Sequence, residues 1–233
     1  MPVSNNGANI RLIIYWKGLE DTITVTSPMD LGGLKSPEYL KLNPQGKMPL
    51  LVLPDGIALP ESAVIANYIA DKYASSGPSL IPSTQEARAT ANLATRVHDI
   101  YIASGLQGCM YKSMDIEERA AKIAELAKQL DVLEGIVEGS PYIVGDTPSL
   151  ADAALFPTFV FFTYILPSQF GWTDVFASRP KLKAWWEHMC KDDCGKRVHG
   201  EVLGGLEAWA ANDRWNKLGI AEQVKDTNYK WEY

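Results

Sequence analysis

Residues 43–62, with the sequence NPQGKMPLLVLPDGIALPES, decide how the first part of the chain folds. Pro49 stands where a short apolar strand begins, although a proline has no N–H group to donate to a neighbouring strand. Asp55 and Gly56 form a typical tight hairpin turn, so the pattern predicts two short antiparallel strands joined by that turn. A helix is predicted to begin at Glu61, directly after the return strand.

A cis peptide bond between Met48 and Pro49 would allow a proline to open a strand within a tight turn. The backbone N–H and C=O of Met48 would then face outward and could pair with an extended peptide, as an added strand does. The first turn of the next helix has free N–H groups that favour a carboxylate, and Ser62 adds a hydroxyl there. Glu61 can pair with an ammonium group.

Two lysines near this stretch, Lys35 and Lys47, can meet a second carboxylate. Together these groups predict a pocket for a small zwitterionic peptide that carries a carboxylate at each end. Simpler interpretations exist for single residues: Glu61 followed by Ser62 is by itself an ordinary helix start, and Lys35 can equally be a surface lysine.

The composition restricts the class of protein. The chain has 233 residues, is 46% hydrophobic and 21% charged, and carries a net charge of −6, which argues against nucleic acid or an anionic membrane as partner. Its three cysteines, an odd number, indicate reduced thiols and a cytoplasmic location rather than a disulfide framework. No secretory signal is evident in residues 1–9, and the apolar run 153–166 is short enough to be a buried core helix.

Hydrophobic periodicity divides the chain near residue 78. The front mixes helices with strands; its predicted elements are a helix from Ile10 to Gly18, a strand over 22–26 (TITVT), a helical turn over 37–42, strands over 49–53 and 57–59, and a helix over 61–73. A connector rich in Gly, Pro and Ser follows over 75–83. The rear is predicted to be helical throughout, with helices over 88–111, 116–133, 150–166, 180–190 and 200–211 and a polar tail over 212–233.

Two stretches of the sequence, LKSPEYLKLNPQGKMPLLVLPDGIALPESAVIANYIADKY and VGDTPSLADAALFP, resemble the glutathione S-transferase superfamily. The resemblance covers most of residues 4–210. It implies an α/β thioredoxin-like domain over residues 1–76 followed by an all-α domain over residues 84–233. Ser149 and Asp152 match the capping box that opens the central core helix of that family, so we assign both to folding.

The resemblance also implies roles for the residues of the first stretch, which lie at the family's spacing. Glutathione would be the co-substrate, and no metal is implied. The residue before the cis-proline, Met48, would bind the cysteinyl part, and Glu61 and Ser62 the γ-glutamyl end. Lys35 and Lys47 would bind the glycyl end.

The family's catalytic residue lies at the end of the first strand or the start of the first helix. Ser4 falls where the serine-type classes place their serine, and Asn6 falls where a related class uses asparagine. The resemblance does not choose which of the two is the catalytic residue. Ser4 can also be a simple helix cap. A donor here, together with a helix N-terminus, would favour the thiolate of a thiol whose free pKa is ~8.5–9. Only Met1 to Val3 precede Ser4, where the family has a central strand, so this strand is expected to be a stub or to need residues upstream.

The stretch HMCKDDCGKRVH holds four possible zinc ligands, His188, Cys190, Cys194 and His199. Their spacing is not that of a zinc finger or knuckle, so we predict structural or surface side chains and no metal. His98, on an apolar helix, is interpreted as a satisfied hydrogen-bonding partner.

By resemblance, the predicted function is attack of the glutathione thiol on a small apolar electrophile, with a role in detoxification. Conjugation, isomerisation, dehalogenation and ether cleavage are all compatible, and a homodimer is implied. A non-catalytic protein that binds an apolar ligand or a protein partner on the same fold is the alternative. Five aromatic residues can line the co-substrate pocket or belong to the core: Tyr101, Tyr111, Phe161, Tyr164 and Trp172. The tail tryptophans, Trp215 and Trp231, can cover that pocket or a dimer partner.

Overall fold

The structure is a computed structural model that describes residues 3–139 and 141–233. Its front part contains, in chain order, α1 (Asn5–Lys17), α2 (Pro37–Leu42), β1 (Leu50–Val52), β2 (Ala58–Pro60) and α3 (Ser62–Lys72). β1 and β2 pair antiparallel, with Leu51 opposite Leu59. The hairpin and the following helix that residues 43–62 predict are therefore confirmed.

The rear part is helical in all its described elements. These are α4 (Gln85–Val97), α5 (Ile116–Ile136), α6 (Leu150–Ile165), α7 (Pro180–Met189), α8 (Asp193–Ala211), α9 (Arg214–Lys217) and α10 (Ile220–Gln223). Wider π-type turns continue α4 through residue 106, and a 3-10 turn ends at residue 110. α8 begins at Asp193 rather than at the predicted Gly200, because the Asp192 carboxylate accepts the N–H of Gly195 and caps the helix earlier.

α1 lies in the middle of the molecule and contacts α3, α6 and α8. Its residues from Ala8 to Ile14 are buried, and Gly18, at φ +62°, ends the helix in the left-handed conformation. On the face toward α8, Arg11 and Tyr15 bind the two carboxylate oxygens of Glu201 at 2.6 and 2.7 Å. These polar contacts join the front of the chain to its rear.

α6 is the core helix that the apolar run predicts, and almost all of its side chains are buried. The apolar stretch Leu150–Phe170 is long and apolar enough to cross a membrane by length and composition alone, but 78% of an 18-residue window within it is buried inside the protein. This burial is typical of a core helix. At its start, Asp152 is fully buried and accepts hydrogen bonds from Ser149, from the N–H of Ile143 and from the indole of Trp185.

The predicted strand over residues 22–26 is wrong. Residues 22 and 23 belong to a turn that their N–H groups close on the carbonyl of Leu19, and residues 24–26 have no regular structure. Within the described residues the sheet consists of β1 and β2 alone, and neither pairs with this segment. A strand forms only when a neighbour accepts and donates its backbone hydrogen bonds, so β-branched residues are not sufficient. A cavity of about 180 Å³, lined by this segment, by β1 and by Ile10 and Ile14, lies where such a neighbour would be.

The polar tail over residues 212–233 is folded against the rest of the chain. It forms α9 and α10, and both Trp215 and Trp231 are buried. The Trp215 indole donates to the carbonyl of Met110 at 2.8 Å. Burying the apolar surface of the two tryptophans stabilises the folded tail by more free energy than burial of the neighbouring polar groups costs. The tail therefore packs on the rear part of its own chain.

Candidate active site

A cleft of about 680 Å³ lies between the front part and the start of the rear part. Its front wall contains most of the residues that the sequence singles out: Asn6, Lys47, Met48, Pro49, Glu61 and Ser62. Its rear wall is formed by the end of α4 and the turns after it, and includes Arg96, Asp99, Gln107, Tyr111 and Lys112. The structure thus brings six sequence-predicted residues into one cleft.

Hydrogen bonds on its buried side fix the turn before β1. The Met48–Pro49 peptide bond is cis, as predicted. The carbonyl of Lys47 accepts two hydrogen bonds, from the Tyr39 hydroxyl at 2.7 Å and from the side-chain amide of Asn43 at 2.8 Å. Asn43 is 2% exposed, so this support is internal and leaves the edge of the turn at Met48 available to the cleft.

The N-terminus of α3 opens into the same cleft. Ser62 is the first residue of the helix, and no side chain caps its first turn. Glu61 precedes it with φ +72°, a backbone conformation that residues other than glycine rarely adopt. Strained residues of this kind are concentrated at binding sites, where the surrounding structure holds them. Free N–H groups and a positive helix end at this point suit a carboxylate ligand.

The two candidate catalytic residues lie in different places. Ser4 lines the 180 Å³ cavity beside the cleft, and its Oγ accepts the N–H of Gly7 at 3.1 Å, so Ser4 caps α1. Asn6 lines the cleft itself, and its side chain makes no hydrogen bond to any described residue. Met48 and Pro49 line both cavities, which therefore adjoin at the cis turn.

Lys35 does not line the cleft. It is exposed, and its Nζ lies beside Gly46, where a Cβ atom would come within 2.9 Å of it. Of the two lysines that the sequence singles out, Lys47 is thus the one that lines the cleft.

A part-buried hydrogen-bond network that runs from the cleft wall into the core was not found from the sequence. The Asn5 amide donates to Gln107 Oε1 at 2.9 Å and to Thr158 Oγ1 at 3.0 Å. Thr158 in turn lies 2.8 Å from Nε2 of His98, whose Nδ1 lies 2.9 Å from Asp99. The predicted role of His98 as a satisfied partner is confirmed. No local sequence signal marks the other members, since residues 5, 107 and 158 meet only in the folded chain.

Of the five candidate aromatic residues, Tyr111 lines the cleft. Its ring packs on Phe161 and Trp209, and burial raises the pKa of its hydroxyl to about 12. Phe161 and Trp172 belong to the buried core, and Tyr101 is 53% exposed.

The run from His188 to His199 is structural in the folded chain. The two histidine rings pack against Tyr142 and Trp186, respectively. Burial raises the pKa of both Cys190 and Cys194 to about 11, so these thiols stay protonated. Within residues 3–139 and 141–233, no group of three or more His, Cys, Asp or Glu side chains lies close enough to hold a metal ion.

Comparisons with known proteins agree with this geometry. Residues 3–72 match the family model of the glutathione S-transferase N-terminal domain, and residues 116–188 match that of the C-terminal domain. The chain is 36% identical to glutathione S-transferase 3 of Zea mays, over 80% of this chain and 85% of the relative. It is 30% identical to maleylacetoacetate isomerase of Pseudomonas aeruginosa, over 66% of this chain and 75% of the relative.

Solved structures show the same likeness. Glutathione S-transferase III in its apo form superposes with a TM-score of 0.70 at 29% identity, covering 87% of this chain and 94% of that one. A maleylacetoacetate isomerase from Methylobacterium extorquens AM1, with bound malonate and GSH, superposes with a TM-score of 0.64 at 26% identity, covering 85% and 94% of the two chains. The predicted fold class, a thioredoxin-like front followed by a helical rear, is confirmed by these neighbours. From the match of both domains and the extent of the relatives, the chain belongs to the glutathione S-transferase superfamily.

Proposed function

We propose that this chain is a glutathione transferase that binds glutathione in the 680 Å³ cleft and activates its thiol for attack on an electrophile. The observation that carries the proposal is the convergence, in a member of this family, of a backbone docking edge, an open helix N-terminus and a polar side chain at the start of α1. These three parts are supplied by Met48, Ser62 and Asn6, respectively. Domains over 1–76 and 84–233 would supply the two walls.

Glutathione is expected to bind as an extended peptide along Met48, with its backbone paired to the edge of the cis turn. Its γ-glutamyl carboxylate would lie at the N-terminus of α3 with Ser62, and its ammonium group beside Glu61. Lys47 would meet the glycyl carboxylate. Lys35, which lies outside the lining of the cleft, would add only a more distant positive charge.

The thiol would then lie near the N-terminus of α1, whose positive end favours the thiolate. Asn6 supports this step better than Ser4 does. Its side chain has no other described hydrogen-bond partner, and it shares the cleft with the glutathione-binding groups. Ser4 lines the adjoining 180 Å³ cavity instead; its oxygen accepts the N–H of Gly7, which leaves its hydroxyl hydrogen free to donate.

Conjugation to a small, apolar electrophile is the first candidate reaction, and detoxification in the cytoplasm is its proposed setting. Isomerisation is a second candidate, favoured by the relative named maleylacetoacetate isomerase. Both reactions begin with the same thiolate attack. Turnover of an aryl halide with glutathione would test the proposal. Glutathione affinity without turnover of any electrophile class would instead support the non-catalytic binding protein.

Replacing Ser62 by alanine is expected to weaken glutathione binding by about 1–3 kcal/mol, because a carboxylate contact at the start of α3 loses its hydroxyl donor. Isothermal titration calorimetry measures the affinity directly. Thr84→Ala is the matched control: Thr84 caps α4 by accepting the N–H of Ala87, so its loss should lower stability and leave affinity unchanged. An unchanged affinity in the Ser62 variant would remove this residue from the site.

A homodimer is also proposed. Apolar side chains are exposed on the front part at Val64 (51%) and on the rear part at Leu93 (52%), as a contact between the front of one subunit and the rear of another requires. Sedimentation at micromolar concentration should give a dimer mass. A monomer under these conditions would contradict the proposal.

A further inference from the structure

The outer edge of β1 carries backbone groups that β2 does not pair. The N–H of Leu53 donates to the carbonyl of Ile57 at 2.8 Å, just beyond the end of the two strands. Residues of an antiparallel pair alternate between those that exchange hydrogen bonds with the partner strand and those that do not. Leu50 and Val52 therefore direct their N–H and C=O groups away from β2, on the side of the 180 Å³ cavity that both residues line. Leu50 lies opposite Pro60, which has no N–H to give.

A second unpaired edge lies across the same cavity. It consists of Thr24, Val25 and Thr26, which line the cavity and belong to no strand. None of their backbone N–H or C=O groups makes a hydrogen bond to a described residue. Their β-branched side chains suit a strand. Open backbone edges of this kind are templates on which another polypeptide can pair.

The side chains around the cavity are apolar. Its floor consists of three buried isoleucines from α1 and α3, which are Ile10, Ile14 and Ile65. At its mouth, Val25 is 41% and Val52 is 48% exposed, so the cavity opens to solvent. Among the residues that line it, only Arg11 is charged, and its guanidinium binds Glu201 at 2.6 Å. The cavity therefore suits uncharged, apolar side chains.

The described part of the chain does not supply a strand for these edges. No segment within residues 3–139 and 141–233 pairs with the outer edge of β1 or with residues 24–26. The edge of β1 has three residues and is about 10 Å long at ~3.3 Å per residue. The two residues before Val3 reach at most about 7 Å. A segment that pairs along the whole edge therefore comes from outside residues 1–233.

We infer that this cavity is a docking site for an extended, apolar segment of a partner polypeptide, which inserts as a strand between β1 and residues 24–26. An extended peptide offers N–H and C=O groups on both of its sides and so satisfies both edges at once, which an apolar small molecule does not. Alternate side chains of a strand point to opposite faces, so one set packs on the isoleucine floor. The inference does not depend on the proposed function, since the cavity lies beside the glutathione cleft.

The first test uses the whole chain and a fluorescein-labelled peptide of about six alternating valine and threonine residues, with a lysine at each end for solubility. The matched control peptide has the same sequence and charge but carries N-methyl groups on alternate residues, which removes the backbone donors along one of its edges. We expect fluorescence anisotropy to show saturable binding of the first peptide. The methylated peptide should bind at least roughly 10-fold more weakly, because the hydrogen bonds to one edge of the cavity are lost.

The second test changes the protein at Val52. Val52→Pro removes an N–H group on the cavity side and leaves the hydrogen bond of Leu53 to Ile57 in place, and an edge strand accepts a proline at such a position. It should weaken binding of the unmethylated peptide roughly 10-fold. Val52→Thr is the control, because it keeps the N–H group and the branched shape, and its affinity should equal that of the wild type. Circular dichroism checks that both variants fold; the comparison of the two peptides on the wild type needs neither variant.

Three outcomes would overturn the inference. Equal affinity for the two peptides would mean that the cavity binds apolar side chains and does not pair with a strand. Absence of saturable binding would exclude a peptide site. Peptide binding that occurs only as a dimer of this chain dissociates, followed by sedimentation, would place a second copy in the cavity. Glutathione binding and turnover measured in parallel test the proposed function separately, because they need no occupant of this cavity.

Discussion

Replacing Asn6 by alanine is expected to raise the pKa of the bound glutathione thiol toward that of the free thiol and to slow conjugation at neutral pH roughly 10- to 1000-fold. Asn6 is the polar side chain at the start of α1 that lines the cleft and makes no hydrogen bond to another described residue. A donor to the sulfur stabilises the thiolate over the thiol, and each pKa unit of about 1.36 kcal/mol changes the thiolate fraction tenfold. Glutathione affinity should hardly change, since the sulfur contact is one among many.

Ultraviolet absorbance of the bound thiolate as a function of pH measures this pKa directly. Ser4→Ala is the control at the neighbouring position, because its Oγ accepts the N–H of Gly7 in the cap of α1. It should lower stability by about 1 kcal/mol through loss of the cap and shift the thiol pKa less than Asn6→Ala does. A larger shift in the Ser4 variant would identify Ser4 as the donor and reverse the assignment.

Asp152→Ala is expected to lower the free energy of unfolding by about 3–5 kcal/mol, the largest loss of stability among our predictions. The carboxylate is fully buried and accepts four hydrogen bonds, from the N–H and hydroxyl of Ser149, the N–H of Ile143 and the indole of Trp185. Burial raises the pKa of this carboxyl, and the donors oppose the shift because they favour its ionised form. Alanine would strand all of these donors in the core.

Urea unfolding of the variant and the wild type gives this difference. Ser149→Ala removes only the hydroxyl donor and should cost about 0.5–2 kcal/mol, with glutathione affinity unchanged. If Ser149→Ala weakened glutathione binding while stability stayed constant, the assignment of this pair to folding would be wrong. A loss below about 1 kcal/mol for Asp152→Ala would mean that the donors find other partners, water included.

The front wall of the cleft could be predicted from the sequence because its determinants are local. A proline before an apolar run, an Asp-Gly turn and a helix start follow each other within residues 43–62, and each acts on its immediate neighbours. The hairpin, the cis bond at Pro49 and the position of Ser62 at the start of α3 are therefore present as expected. The strand predicted over residues 22–26 was wrong because strand formation depends on a partner elsewhere in the chain.

The rear wall could not be predicted because it forms from contacts between distant residues. Gln107 and Tyr111 carry no motif, and their proximity to Asn6 depends on how α1 packs against α6 and on the π-type turns after α4. Tertiary contacts also decide that Lys35 lies outside the cleft. The sequence could not show this, because a surface lysine and a ligand-binding lysine have the same local sequence pattern.

By itself, the sequence determined the hairpin and the start of α3, because turn chemistry and capping act over a few residues. The resemblance of its two motif stretches indicated the family. Tertiary structure alone decided that Asn6 lies in the cleft and Ser4 beside it, although the two residues are separated by less than one turn of α1. Successive positions on a helix point in different directions, about 100° apart, so the packing of α1 against its neighbours selects which side chain enters the cleft. The same packing brings Asn5 to Gln107 and leaves one amide donor in the cleft wall without a partner.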